Sequence, residues 1–122
     1  MITLNFIISQ VLTDDMYFAV IYKGEEKTIL NFVDDECGHV LAFDKATNLL
    51  KLVKEVLSLS ENKTKSIFKI ENQTYYLTFN YDRNDEKHKL TIAVAEGKIV
   101  FKGANYFKLI SFFVRFKRAM EG

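Results

Sequence analysis

The residue types that most often carry chemistry meet in one short stretch, Cys37-Gly38-His39. A protein zinc site needs three or four ligands, yet the chain has a single cysteine, and its other histidine, His88, belongs to the second half of the sequence. Nucleophilic catalysis by a Cys–His pair needs two side chains that converge in space, which neighbours in one turn seldom do. The stretch therefore predicts an ordinary turn, and we expect no metal and no cofactor.

Carboxylates occur in pairs, but every pair is predicted to lie in a solvated loop. Catalytic acids usually need burial to shift their pKa. The chain also contains no glycine-rich phosphate loop, no Gly-x-Ser-x-Gly element and no His-Glu-x-x-His element. We therefore predict a protein that is not an enzyme and has no catalytic residue.

Charge is distributed unevenly along the chain. Residues 1–61 contain five lysines against ten acidic residues, and residues 62–122 contain twelve basic residues against six acidic ones. In a sheet whose strands follow one another, the first and third turns lie at the same end, so Asp14-Asp15 and Asp34-Asp35-Glu36 are expected on one acidic rim. Glu25-Glu26 are weaker candidates at the opposite end. A concentrated rim of one charge favours a cationic protein partner, and the alternative is that these turns only aid solubility.

A second candidate surface is basic and aromatic. If Tyr75, Leu77 and Phe79 face the core together with Tyr81, the intervening residues and their neighbours on adjacent strands share the opposite face. That face is predicted to carry Lys65, Lys69, Tyr76, Thr78, Asn80, Lys89 and Thr91. Lysines interleaved with tyrosine on an open sheet suit single-stranded nucleic acid, because bases stack on the ring and phosphates meet the ammonium groups. The alternative is a plain solvated sheet face.

The elements that must position these residues repeat with an offset of about 60 residues. Alternating apolar and polar residues predict strands, and apolar residues spaced i, i+3, i+4, i+7 predict helices near residues 45–60 and 104–120. The predicted strands are Ile2–Gln10, Met16–Tyr22, Thr28–Val33 and His39–Phe43, then Lys65–Glu71, Tyr75–Tyr81, Lys89–Ala95 and Lys98–Lys102. The fold class is therefore α+β, with two ββββα halves whose antiparallel sheets pack on two amphipathic helices. Chance similarity between two strand-rich halves is the alternative to a true repeat.

Details of the two helices are also predicted. Asp44 is the expected N-cap of the first helix. In the second helix Tyr106, Leu109, Ile110, Phe113 and Phe116 form the expected core stripe. Phe107, Phe112 and Val114 lie beside it, which indicates either a broad buried face or, less often, a homodimer contact.

Length and composition bound the class of protein. A chain of 122 residues fits one domain, residues 1–122, with pseudo-repeats at about 1–61 and 62–122. A single cysteine suits a reducing compartment, the first residues lack the basic start of a signal peptide, and no apolar run reaches the ~20 residues of a membrane span. We therefore expect a cytoplasmic protein with no membrane partner.

The order of elements, carried by Tyr17–Tyr22, Thr28–Val33, Leu49–Val56 and their second copies, resembles the Whirly/PC4-like fold of single-stranded nucleic-acid-binding proteins. Some bacterial immunity proteins of contact-dependent toxin systems look like the same fold, used to bind a toxin. The resemblance is one of architecture, and no functional residue follows from it. Because the first half is acidic, we rank first an immunity-type protein that neutralises a toxin, for instance a nuclease with a basic cleft. The alternative is a protein that binds single-stranded DNA or RNA through the second half.

Overall fold

A computed structural model describes residues 7–12, 18–23, 26–33, 38–84 and 86–121. It contains two four-stranded sheets, each followed by one helix. Sheet 1 comprises β1 (Ile7–Val11), β2 (Phe18–Lys23), β3 (Thr28–Val33) and β4 (Gly38–Phe43), followed by α1 (Ala46–Leu57). Sheet 2 comprises β5 (Lys65–Ile70), β6 (Gln73–Asp82), β7 (Lys87–Val94) and β8 (Gly97–Gly103), followed by α2 (Tyr106–Glu121).

Both sheets are antiparallel meanders in which each strand pairs with the next one along the chain. The strand order is β1-β2-β3-β4 in one sheet and β5-β6-β7-β8 in the other. This confirms the predicted α+β class and the repeated ββββα plan. The strands begin and end within about two residues of the predicted bounds, except that the first five residues of the predicted Ile2–Gln10 strand lie outside the described residues.

The inner faces of the two sheets share one hydrophobic core with the helices. Alternation places Leu30 and Phe32 of β3 inward, and Leu90 and Ile92 of β7 occupy the equivalent positions 60 residues later. The buried apolar side chains of both halves form a single cluster. Rings join the layers: Phe101 of β8 lies with its centroid 5.1 Å from that of Phe32 and 5.5 Å from that of Phe113 in α2.

Contacts between the halves extend beyond the core. Helix α2 packs against β1 as well as β7 and β8, and it also contacts α1. The Arg115 side chain donates a hydrogen bond to the Ser9 carbonyl oxygen, with Nη1 and O 2.6 Å apart. The Ala104 amide donates to the Leu12 carbonyl at 2.8 Å. The two repeats are therefore held against each other by backbone and side-chain contacts as well as by apolar packing.

Two predicted helix details are wrong. Tyr106, assigned to the core stripe, is 41% exposed; the buried stripe starts one turn later because Tyr106 is the first residue of the helix. Phe112, expected beside the stripe as part of a broad buried face, is fully buried, whereas Phe107 is 77% exposed. The N-cap of α1 is Lys45, which makes no side-chain capping bond. Asp44 accepts a hydrogen bond from Lys27 instead, and this bond and the lysine charge lower the pKa of Asp44. None of the helices in the described part of the chain has the length and apolarity that a membrane crossing requires.

Candidate functional site

The outer face of sheet 2 collects the second group of predicted binding residues. Side chains directly opposite each other on neighbouring strands point to the same side of a sheet. Lys65 pairs with Thr78, which pairs with Thr91, and Asn80 pairs with Lys89. Burial alternates along β6, with Tyr75, Leu77 and Phe79 buried and the residues between them exposed. The structure therefore places Lys65, Lys69, Tyr76, Asn80 and Lys89 on one solvent-facing surface.

Strand β8 enlarges this surface with residues that sequence reasoning did not select. Lys98 lies opposite Ala93, and Lys102 lies opposite Lys89. The outer face of sheet 2, hereafter the basic face, thus carries six lysines. They are Lys65, Lys69, Lys87, Lys89, Lys98 and Lys102. The sequence does contain a pattern that predicts this placement. In Lys98–Lys102 the two lysines are spaced Lys-x-Val-x-Lys, and alternation of period 2 puts both on one side of a strand.

Strands β5–β8 contribute one acidic residue, Asp82, to the basic face. The Lys89 ammonium lies 2.6 Å from the Asp82 carboxylate, and both side chains are about three-quarters buried. Opposite Lys89 stands Lys102, and like charges directly across a strand pair are unfavourable. The four strands therefore place six lysines and one carboxylate on this surface, and this excess of positive charge suits an anionic ligand.

An apolar centre lies among the lysines. Ile67 of β5 and Tyr76 of β6 face each other directly across the strand pair. Ile67, on the edge strand β5, is 70% exposed, and Tyr76, on the interior strand β6, is 48% exposed. A phenol ring with a free face can stack against a planar group, and the isoleucine beside it offers an apolar floor. Stacking and charge pairing are thus available within one surface.

The prediction that Tyr81 belongs to the core behind this face is wrong. Tyr81 was assigned to the inner side with Tyr75, Leu77 and Phe79, and it does follow their alternation, but it is half exposed. The reason is that β6 extends beyond the start of β5: the Phe79 amide donates to the Thr64 carbonyl at 2.8 Å, and β5 itself begins at Lys65. Past that point no strand among the described residues covers this edge of β6.

The acidic candidates of the first half fall mostly outside the described residues. Glu26 is described and exposed. Asp14, Asp15, Glu25, Asp34, Asp35 and Glu36 lie outside the described residues, as does Cys37. The strand ends that flank them are described: Val11, Phe18, Val33 and Gly38 form one row across the end of sheet 1. The described strand ends on both sides of residues 13–17 and 34–37 therefore lie at the same end of that sheet.

The outer face of sheet 1 has a different character. Its described side chains are Ser9, Val11, Val20, Tyr22, Ile29, Asn31, Val33, Val40 and Ala42. None of them is charged, and we refer to this surface as the uncharged face. Val11, Tyr22 and Val40 are each more than a third exposed. Exposed apolar side chains grouped on one sheet face are typical of surfaces that contact other proteins.

Groups that could hold a metal are absent from the described segments, where no cluster of three or more His, Cys, Asp or Glu side chains occurs. No family model, no curated protein and no solved structure matches this chain. The functional inference therefore rests on the chemistry of the two outer faces.

Proposed function

We propose that this protein binds single-stranded nucleic acid on the basic face. The observation that carries the proposal is the grouping of six lysines around an exposed tyrosine on one open sheet surface. Phosphates pair with ammonium groups without regard to sequence, and unpaired bases stack on aromatic rings. The tandem ββββα plan, which resembles the Whirly/PC4-like fold, supports the same function.

The shape of the surface favours a single strand over a duplex. An open sheet presents Tyr76 and Ile67 at its centre, where bases that are already unpaired can lie flat against them. In a duplex the bases are stacked inside and only the phosphates could reach the lysines. We therefore expect single-stranded oligonucleotides to bind more tightly than duplexes of the same length.

Charge reversal tests this function. Lys65→Glu combined with Lys69→Glu should abolish binding of a labelled single-stranded oligonucleotide at low salt, measured by fluorescence anisotropy. The matched control is Lys51→Glu combined with Lys108→Glu, because these lysines are exposed on α1 and α2, away from the basic face. The control changes net charge equally and should retain most of the affinity. Absence of binding by the unaltered protein, or equal losses in both double variants, would refute the proposal.

A second candidate function is inhibition of a protein partner by an immunity-type mechanism. Two observations favour it: the uncharged face carries exposed Val11, Tyr22 and Val40, and the described strand ends next to the acidic segments 13–17 and 34–37 lie at one end of the same sheet. An apolar surface combined with acidic segments suits a toxin with a basic cleft, such as a nuclease, since opposite charges raise the association rate and fix the orientation.

The second function predicts that reversing Asp34, Asp35 and Glu36 to Lys weakens binding to the cognate toxin domain. Affinity should be measured at two salt concentrations by calorimetry. Glu25 and Glu26 provide the control, because β2 and β3 place that turn at the opposite end of sheet 1. If reversal of Asp34, Asp35 and Glu36 leaves both the affinity and its salt dependence unchanged, the acidic segments are not the interface.

A further inference from the structure

A concave site lies at the end of sheet 2 and belongs to neither outer face. It is a groove of about 720 Å³ between the inner side of the β6–β7 hairpin, the start of α2 and the Ser60–Thr64 turn. A volume of this size falls within the range of small-molecule sites. Phe79, Tyr81, His88 and Tyr106 form its wall, and we call it the aromatic groove.

The four rings of the wall touch one another in sequence. The Phe79 and His88 rings are stacked, with centroids 5.9 Å apart and planes 20° apart. The centroids of Tyr81 and His88 are 4.9 Å apart, and Tyr106 meets Phe79 edge-on at 5.5 Å. Tyr81 is 50% exposed and Tyr106 is 41% exposed. Two rings thus keep accessible faces while Phe79 and His88 support them from behind.

Strand length explains why this wall is open. Phe79 and Tyr81 follow the inward alternation of β6, and His88 stands opposite Tyr81 on β7. Because β6 continues past the start of β5, the last inward residue is not covered by a neighbouring strand. The Ser60–Thr64 turn borders the opening, and it is held by the Ser60 hydroxyl, which accepts hydrogen bonds from the Asn62 and Lys63 amides at 3.2 Å each. The groove is therefore bounded by ordered backbone on both sides.

A polar atom in the wall lacks a partner. His88 Nδ1 is buried and makes no hydrogen bond to any described residue. A buried polar atom left unpaired is costly, and such atoms often mark places where a ligand or a water completes the bonding. His88 lines the groove, and a turn of its ring that brings Nδ1 to the groove would let a planar ligand between Tyr81 and Tyr106 complete the missing hydrogen bond. Stacked rings with one hydrogen-bonding group suit a heteroaromatic ligand.

Charge around the groove excludes the phosphate from it. Glu61 lines the opening, and no lysine or arginine does so among the described residues. An uncharged base therefore fits the groove, whereas its phosphate must stay outside. Asn80 connects the two surfaces, because it lines the groove and also stands in the row with Lys89 and Lys102 on the basic face. The uncovered edge of β6 at Asn80 is thus a short path from the lysines to the rings.

We propose that the aromatic groove binds one nucleobase, which a single strand held on the basic face inserts over the edge of β6 at Asn80. The inference rests on the proposed nucleic-acid function and adds a site to it. The base stacks against Tyr81 and Tyr106 and hydrogen-bonds His88, while its sugar and phosphate stay toward Lys89 and Lys102. The basic face supplies charge, and the groove supplies a base-specific contact.

Free nucleosides test the groove without the strand. Adenosine, cytidine, guanosine and uridine are titrated separately while the ring resonances of His88 are followed by NMR, with ribose 5-phosphate as a probe that lacks a base. At least one nucleoside should shift the His88 resonances and ribose 5-phosphate should not. Tyr106→Ala should weaken nucleoside binding roughly 5- to 150-fold, the range expected for loss of one stacking ring. Tyr22→Ala, which removes an exposed tyrosine from the uncharged face, should have no effect.

A second variant separates stacking from hydrogen bonding. His88→Phe keeps a ring beside Phe79 and Tyr81 but deletes Nδ1, and it should weaken nucleoside binding roughly 2- to 10-fold. If no nucleoside shifts His88, or if Tyr106→Ala and His88→Phe both leave nucleoside affinity unchanged, the groove is not a base site.

Failure of the groove and failure of the proposed function give different results. Oligonucleotide binding that depends on Lys65 and Lys69 but is indifferent to Tyr106 and His88 would overturn the groove and leave the function intact. Nucleoside binding in the groove without oligonucleotide binding at low salt would uphold a nucleobase site and remove the strand-binding function.

Discussion

The two sheets of this protein have the same strand order but opposite outer surfaces. The basic face of sheet 2 carries six lysines around Tyr76 and Ile67, whereas the described side chains of the uncharged face of sheet 1 include no charged residue. Both surfaces are compatible with a pleated sheet, because alternation determines which side a residue faces and not which residue types occupy the solvent side. The comparison shows that the ββββα plan leaves the outer faces free to diverge, so function must be read from each face and not from the fold.

The sides of the two helices that face the core, in contrast, are both apolar. Leu49, Leu52, Val53 and Val56 of α1 correspond at an offset of 60 to Leu109, Phe112, Phe113 and Phe116 of α2, and all eight are buried. A shared core tolerates only apolar side chains of suitable volume. The second half carries the larger, aromatic members of these pairs, so the α2 side supplies more of the buried ring surface.

The largest expected effect comes from breaking the core that both sheets share. Phe32→Ala and Phe101→Ala should each lower the free energy of unfolding by about 3–5 kcal/mol, and the double variant should lose less than the sum, because the two rings touch. Denaturant unfolding followed by circular dichroism measures both. Phe32→Leu and Phe101→Leu serve as milder versions if the alanine variants do not fold. Strictly additive losses, or two separate transitions in the unaltered protein, would mean that the halves do not share a core.

A matched pair of tyrosines tests the outer faces. Tyr76 is 48% exposed on the basic face and Tyr22 is 37% exposed on the uncharged face. Tyr76→Ala should weaken oligonucleotide binding by about 1–3 kcal/mol, the usual contribution of one stacked base. Tyr22→Ala should leave binding unchanged, since the described side chains of that face include no lysine. Fluorescence anisotropy compares the two variants, and equal effects would contradict the assignment of binding to sheet 2.

The sequence was sufficient to predict those parts of the molecule that depend on local periodicity. Alternation located the strands and put Lys65, Tyr76 and Asn80 on one side of a sheet, because period 2 decides the side whatever the partner strand is. It could not show that Ile67 faces Tyr76 or that Lys102 faces Lys89, because pairing register depends on turn lengths and on the core. The aromatic groove could not be predicted from the sequence either, because it depends on β6 extending past β5 and on α2 beginning at Tyr106.

The salt dependence of oligonucleotide affinity tests individual lysines of the basic face. The logarithm of the binding constant for single strands falls with the logarithm of salt concentration by about 0.7 for each phosphate contact. Lys98→Ala should therefore reduce the magnitude of this slope by about 0.7, because Lys98 is exposed on the basic face. Lys51→Ala, which removes an exposed lysine from α1, should leave the slope unchanged. A slope that both substitutions reduce equally would indicate binding by general attraction and not by this face.

The smallest expected effect concerns the helix starts, where the halves also differ. In α2 the Asn105 side-chain oxygen accepts a hydrogen bond from the Lys108 amide at 2.8 Å, whereas Lys45 leaves α1 without a side-chain cap. Asn105→Ala should cost about 1 kcal/mol of unfolding free energy, the usual value for a lost cap. Lys45→Ser should stabilise by up to about 1 kcal/mol, because Lys45 already has the extended backbone of an N-cap, with φ −133° and ψ 139°, and serine adds the missing acceptor. Thermal unfolding of the two variants should therefore shift in opposite directions, and a loss of stability in Lys45→Ser would show that the Lys45 side chain contributes a contact that outweighs the cap.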